Sequence, residues 1–175
     1  AAGRAPAWRV RVPDAVYTLE DRIQGPFSMN LAADCGDMVV RRADGVYVYQ
    51  LAVTVDDGEA GVNQVVRGAD LLSSAPRQMY LQSLFGFPHP EYAHVPLLTA
   101  PDGRRLSKRD RDLDLGVLRQ KTKPEALIGC LAFSAGLTPS PAPVSARELT
   151  GEFQWDRLKK ENIQLDPCFF DIVCV

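Results

Sequence analysis

Residues 62–85 read VNQVVRGADLLSSAPRQMYLQSLF, and this stretch decides the fold class. Val62 to Val66 is short and β-rich, and Arg67-Gly68 ends it. Ala69 to Phe85 then has helical character. Asp70 or Ser73/Ser74 is placed to cap it, and Pro76 suits a first turn. Met79, Leu81, Leu84 and Phe85 form the expected apolar face, and Gly86-Phe87-Pro88 terminates the helix. Ala93 to Leu98 is the next short apolar strand. Strand, helix and strand in that order fit the later part of a doubly wound parallel sheet.

The alternation continues toward the C-terminus. Pro101-Asp102-Gly103 is a turn leading into a basic stretch. Pro124 to Ala135 reads as a buried helix ending at Gly136. TPSPAP, residues 138–143, is a linker, and Ser145-x-x-Glu148 is a capping-box pattern that opens another helix. Before residue 60 the pattern is antiparallel. Trp8 to Val12 alternates until Pro13 stops it, and Gly25-Pro26 marks a turn. Asp44-Gly45 stands between MVVRR and VYVY, a strong hairpin signal. YVYQLAVTV, residues 47–55, is too continuous for a half-exposed strand. It reads as a short strand and then a buried segment, with helix one option, broken at Asp56-Asp57-Gly58. The early part has the pattern of an insertion packed on the later sheet.

Composition sets the outer limits. The chain has 175 residues, 46% hydrophobic and 24% charged, enough for one folded domain or a little more. The formal net charge of -2 gives no whole-molecule attraction for nucleic acid, so any such contact must come from a local patch. No apolar run approaches the roughly 20 residues of a membrane span. Neither is AAGRAPAWRVRV at the start a secretory leader. Cys35, Cys130, Cys168 and Cys174 form no C-x-x-C pair, and His89 and His94 are the only histidines, so no zinc-binding cluster is visible. A cytoplasmic protein with free thiols is expected.

Several residues are candidates for chemistry. Gly103 to Asp112, GRRLSKRDRD, gathers Arg104, Arg105, Lys108, Arg109 and Arg111 with glycine and serine. Such a loop can present cations to a polyphosphate, with lysine as a mobile point charge. On charge alone it is more readily a solvated turn than a site, because Asp102, Asp110 and Asp112 nearly offset it. Arg67 sits at the carboxyl end of a strand, where ligands of such sheets bind. There a guanidinium can hold a carboxylate bidentately, or pair with Asp70 or Asp56/Asp57. Tyr49 can offer a hydroxyl to a polar ligand or belong to the core. Asp56-Asp57 reads as turn chemistry and His94 as structural.

Taken in order, these segments resemble one family. Residues 37–98, DMVVRRADGVYVYQLAVTVDDGEAGVNQVVRGADLLSSAPRQMYLQSLFGFPHPEYAHVPLL, followed by DGRRLSKRD, look like the class I glutamyl-tRNA synthetase superfamily. The closest likeness is to its short glutamyl-Q tRNA(Asp) branch, through RGADLL, VRVPD, DRIQGP and LAADCGD. The likeness covers residues 8–167. It implies an α/β fold: the second half of a class I synthetase Rossmann-like catalytic domain with part of its inserted α+β subdomain. Residues 1–60 would be the remainder of the insertion and the returning hairpin. Residues 61–137 would be the C-terminal half of the catalytic domain, and residues 138–175 a linker and helical segment.

The resemblance also implies an activity. Glutamate and ATP form glutamyl-adenylate with magnesium assisting, and the acyl group passes to the queuosine of tRNA(Asp). Arg105, Leu106, Ser107, Lys108 and Arg109 would be the KMSKS-type, ATP-binding loop, with Ser107 and Lys108 catalytic. Lys108 would stabilise charge on the α-phosphate. Tyr49 and Arg67 would bind L-glutamate. The family's HIGH-type loop, its early Arg-x-x-Pro-Ser segment and its zinc knuckle have no counterpart here. No metal ligand is therefore assigned, although zinc belongs to the family. The chain is expected to begin inside the inserted subdomain, to be inactive alone, and to be a fragment or to self-associate through an exposed sheet edge. Synthesis of glutamyl-tRNA(Glu) is the nearest alternative activity, and a non-catalytic tRNA- or nucleotide-binding module is the alternative of another kind. The apolar tail PCFFDIVCV falls outside the resemblance.

Overall fold

A computed structural model describes residues 5–100, 102–104, 106 and 115–165. The chain forms two compact units, residues 1–94 and 95–175.

In the first unit, β1 (Trp8–Val10) ends two residues before the expected point. β2 (Val16–Asp21) and β3 (Gly25–Asn30) form an antiparallel hairpin running from the Val16↔Asn30 pair to Asp21↔Gly25. Its tight turn has two causes. Asp21 Oδ1 accepts the N–H groups of Ile23 and Gln24, and Gly25 takes φ 82°, a region open chiefly to glycine. α1 (Leu31–Asp34) is a single turn capped by the Asn30 side chain, and it leads into β4 (Met38–Arg41). β1 and β4 pair antiparallel, and a single further bridge joins Arg41 to Tyr47 across the expected Asp44-Gly45 turn.

α2 runs over Tyr49–Glu59, so Asp56-Asp57-Gly58 does not break the chain as its composition suggests. Gly58 is helical because of its surroundings. A Cβ there would lie 2.3 Å from the Phe87 ring, so the residue is small to admit that ring. β5 (Gln64–Gly68) follows, then a 3-10 turn at Ala69–Leu71, and only then α3 (Ser74–Phe85). The single helix expected from Ala69 is therefore split. Pro76 does sit in the first turn of α3, and Gly86 closes it with φ 73°.

The buried side of α3 differs from the expected apolar stripe. Ala75, Gln78, Met79 and Gln82 are buried on one face, while Leu84 and Phe85 are exposed. Gln78 occupies that face with both ends of its amide bonded, and Gln82 donates to the Tyr92 hydroxyl at 3.5 Å. β6 (Glu91–Val95) pairs with β5, with α3 as the connection between them. One cluster gathers Val12, Met29, Leu31, Met38 and Leu81, and a second gathers Leu19, Ala75, Met79 and Tyr92.

In the second unit, β7 (Leu98–Thr99) pairs in parallel with β8 (Ile163–Gln164). Between them come α4 (Leu115–Lys121), α5 (Pro124–Ser134) and α6 (Ala146–Glu152). α5 begins at Pro124 and closes at Gly136, φ 86°, as its sequence dictates. α6 opens with the complete Ser145/Glu148 capping box. Leu118, Cys130 and Leu165 form the core, with Leu98, Leu106, Leu127 and Leu131 against it.

Candidate functional site

Arg67 stands at the end of β5, and its guanidinium is held on three sides. Nε donates to His94 Nε2 at 3.0 Å, Nη1 to Gln78 Oε1 at 2.8 Å, and Nη2 to the Leu71 carbonyl at 3.3 Å. Its plane lies over the Tyr92 ring, 5.4 Å from the centroid. Among the described residues, three of its five N–H donors are engaged, which leaves one on each terminal nitrogen. A guanidinium with N–H groups to spare can donate to a carboxylate.

The support extends to the β2–β3 hairpin. His94, on β6, is fully buried, and its Nδ1 is 2.5 Å from Asp21 Oδ2. Because Nε2 accepts from Arg67, the ring proton belongs on Nδ1, directed at the carboxylate. Asp21 Oδ1 also accepts the His94 backbone N–H at 3.0 Å, and the Gln24 amide donates to the His94 carbonyl at 2.9 Å. Tyr92 stacks on the imidazole at 6.0 Å. The hairpin turn thus grips β6 through the backbone N–H, the carbonyl and the ring of His94. On the other side of Arg67, Gln78 Nε2 donates to Gln50 Oε1, and Gln50 Nε2 to Ser74 Oγ, each at 2.9 Å. A continuous run, Asp21–His94–Arg67–Gln78–Gln50–Ser74, fixes the guanidinium.

Burial pushes the Asp21 carboxyl toward its neutral form. The hydrogen bonds from the Gln24 N–H, the His94 ring and backbone, and the Ile23 N–H outweigh it, so its pKa lies below the ordinary 3.8. A carboxyl depressed in the folded state stabilises the fold above its unfolded value. That contribution is lost as pH falls through the folded value, here below 3.8. Urea denaturation followed through this acid range should show the protein losing stability, and Asp21→Asn should remove that part of the pH slope. An unchanged slope in Asp21→Asn would count against the assignment. Burial likewise raises the Tyr92 phenol above its usual 10.0, which keeps it neutral over the Arg67 cation.

Tyr49 is the first residue of α2 and is 50% exposed. It immediately precedes Gln50, so the helix that supplies the last amide of the run also carries the tyrosine. Of the basic loop, Leu106 packs against the second unit's core. The turn before the loop is set by Gly103, φ 82°, and by the Arg104 N–H donating to Asp102 Oδ1. Arg105, Ser107, Lys108 and Arg109 lie outside the described residues. Among the described residues no three of His, Cys, Asp and Glu converge as metal ligands, and no helix is long and apolar enough to cross a membrane.

A family model described as tRNA synthetases class I (E and Q), catalytic domain, matches residues 1–166. The chain belongs to this family. Its sequence is 44% identical over 166 residues to the glutamyl-Q tRNA(Asp) synthetase of Symbiobacterium thermophilum (strain DSM 24528 / JCM 14929 / IAM 14863 / T), covering 94% of this chain and 51% of that protein. It is 56% identical over 113 residues to the enzyme of that name from Pseudomonas syringae pv. syringae (strain B728a), covering 63% of this chain and 38% of that protein. Among solved structures it resembles the glutamate-tRNA synthetase of Elizabethkingia anophelis, with TM-score 0.77 and 27% identity, over 94% of this chain and 37% of that one. The chain spans about half or less of the length of these relatives. The class I synthetase α/β fold expected from the sequence is the one these matches give.

Proposed function

We propose that this chain supplies the glutamate-binding and KMSKS-type part of an active site that activates L-glutamate with ATP and transfers it to the queuosine of tRNA(Asp). The observation that carries the glutamate part is the Arg67 guanidinium, held rigid by the buried Asp21–His94 pair with donors to spare for a carboxylate. The carboxylate that reacts must stay free to attack the α-phosphorus of ATP and expel pyrophosphate. A carboxylate gripped bidentately by arginine is a poor nucleophile, so Arg67 is assigned the side-chain carboxylate, with Tyr49 adding its hydroxyl. Arg67 then also distinguishes glutamate from glutamine.

Arg105, Leu106, Ser107, Lys108 and Arg109 are assigned the ATP phosphates, with Lys108 meeting the charge that develops at the α-phosphate. Magnesium would accompany ATP as counter-ion. The second step forms an ester to a queuosine hydroxyl and releases AMP. Likeness to curated glutamyl-Q tRNA(Asp) synthetases supports that acceptor. Likeness to glutamate-tRNA synthetases favours tRNA(Glu) as the second reading. A reaction of ATP with tRNA belongs in the cytoplasm.

Arg67→Ala is expected to weaken L-glutamate binding about 10- to 100-fold, the loss due to a charge-assisted hydrogen-bonded pair, while L-glutamine binding changes little. Titration of both amino acids by NMR checks this. Equal glutamate affinity in the variant would remove Arg67 from the site.

A further inference from the structure

The β1–β4 pair of the first unit, with the bridge beside it, carries a row of three cross-strand neighbours whose two outer members are exposed. Trp8 is paired with Arg41 in the ladder, and Arg41 is bridged to Tyr47. Residues directly opposite one another in an antiparallel pair share a face, so the row reads Trp8, Arg41, Tyr47 across the surface. The Arg41 guanidinium lies 5.3 Å from the Trp8 ring centroid and 5.6 Å from that of Tyr47. Its Nε donates to the Gly45 carbonyl at 3.1 Å, which fixes its orientation.

A cation–π clasp alone would hold this hairpin, but it leaves much of both rings in water. Trp8 and Tyr47 are each 57% exposed, and Val46 beside them is also exposed. The hydrogen bonds of Arg41 and of neighbouring Arg9 go to backbone carbonyls, at Gly45 and Asp37, so neither charge is cancelled by them. Arg42, the next residue, pairs with Asp44 at the surface. Two half-exposed aromatic rings flanking a fixed cation suit an unstacked base and its phosphate. A peptide partner offers no comparable reason for the cation to sit between the rings.

We propose that Trp8, Arg41 and Tyr47 form a stacking site for unpaired bases of single-stranded RNA. The inference deepens the functional reading above, in which the acceptor is a tRNA, by naming where its unpaired nucleotides meet the protein. Duplex RNA, whose bases are stacked inside, is excluded from such a site.

The test is fluorescence anisotropy with a labelled single-stranded oligouridylate at low salt, against a labelled RNA duplex. The chain is expected to bind the single strand in preference, and Trp8→Ala/Tyr47→Ala to weaken it about tenfold or more. Arg41→Gln should weaken binding and reduce the salt slope by about one. A second readout needs no disruption of the row. In Trp155→Phe, Trp8 is the remaining tryptophan of two, and its emission should be quenched by the oligonucleotide. No binding of the single strand, unchanged affinity in the double variant, or unquenched Trp8 emission would each overturn the proposal. Arg67→Ala is expected to bind the oligonucleotide normally. Glutamate binding without RNA stacking would thus sink this inference alone, and RNA stacking without glutamate binding would sink the Arg67 assignment alone.

Discussion

Asp21→Ala is expected to lower the unfolding free energy of the first unit by about 2–4 kcal/mol, because it leaves the buried ring and backbone N–H groups of His94 without an acceptor, at about 1–3 kcal/mol each. The Asp21 carboxylate accepts from the N–H groups of Ile23, Gln24 and His94 and from the His94 ring. With alanine there, the buried His94 N–H groups lose their acceptor and the hairpin turn loses the side chain that shapes it. The freed imidazole also ceases to orient the Arg67 Nε, so glutamate binding should fall with stability. Asp21→Asn retains one acceptor oxygen for the backbone but turns a donor toward the His94 Nδ1–H, and should lie between. Urea denaturation of the three proteins gives the order, and a loss under about 1 kcal/mol in Asp21→Ala would show the run to be incidental.

The second large effect lies in the other unit. Gly129 is buried in α5, and a Cβ there would sit 2.1 Å from the Ala142 carbonyl oxygen and 2.8 Å from its carbon. Both obstacles are backbone, and the segment that carries them is tied to the helix by the Val144 N–H donating to Glu125 O at 3.1 Å. Gly129→Ala gains up to about 1 kcal/mol in helix propensity. Overpacking against atoms that cannot rotate away costs about 1–3 kcal/mol and at these distances falls at the upper end. Net destabilisation of about 2 kcal/mol is therefore expected from the two effects together. Hydrogen exchange should rise in Pro124–Ser134 and residues 138–144 while the first unit keeps its protection. A variant as stable as the parent would mean that the segment yields freely.

Elements defined by local chemistry were legible in the sequence. Pro124 and Gly136 bracket α5, and Ser145 with Glu148 opens α6, because caps and turn residues act within a few positions. What escaped depends on distant partners. α2 passes through Asp56-Asp57-Gly58 because Phe87 packs on Gly58 from another part of the chain. Gln78 and Gln82 hide on the core side of α3 because Arg67, Gln50 and Tyr92 are there to bond them. Their i, i+4 spacing on the face of Ala75 and Met79 was the one available signal.

The site was legible to a similar depth. Arg67 was singled out by its place after a strand. Its supports were not, since Asp21 carries no signal of its own in DRIQGP and His94 reads as a lone structural histidine. Nothing in either segment announces that the turn and β6 meet. That meeting couples the antiparallel hairpin, through His94 on β6, to the candidate glutamate ligand Arg67 on β5.

Glutamylation of queuosine through Arg67 is the activity proposed for this chain. Its most direct test is mass spectrometry of tRNA nucleosides from the encoding organism, with the gene intact, deleted, and complemented with Arg67→Ala. Deletion should abolish glutamyl-queuosine while leaving queuosine and the charging of tRNA(Glu) intact, and Arg67→Ala should fail to restore it. Glutamyl-queuosine persisting at its normal level after deletion would contradict the account.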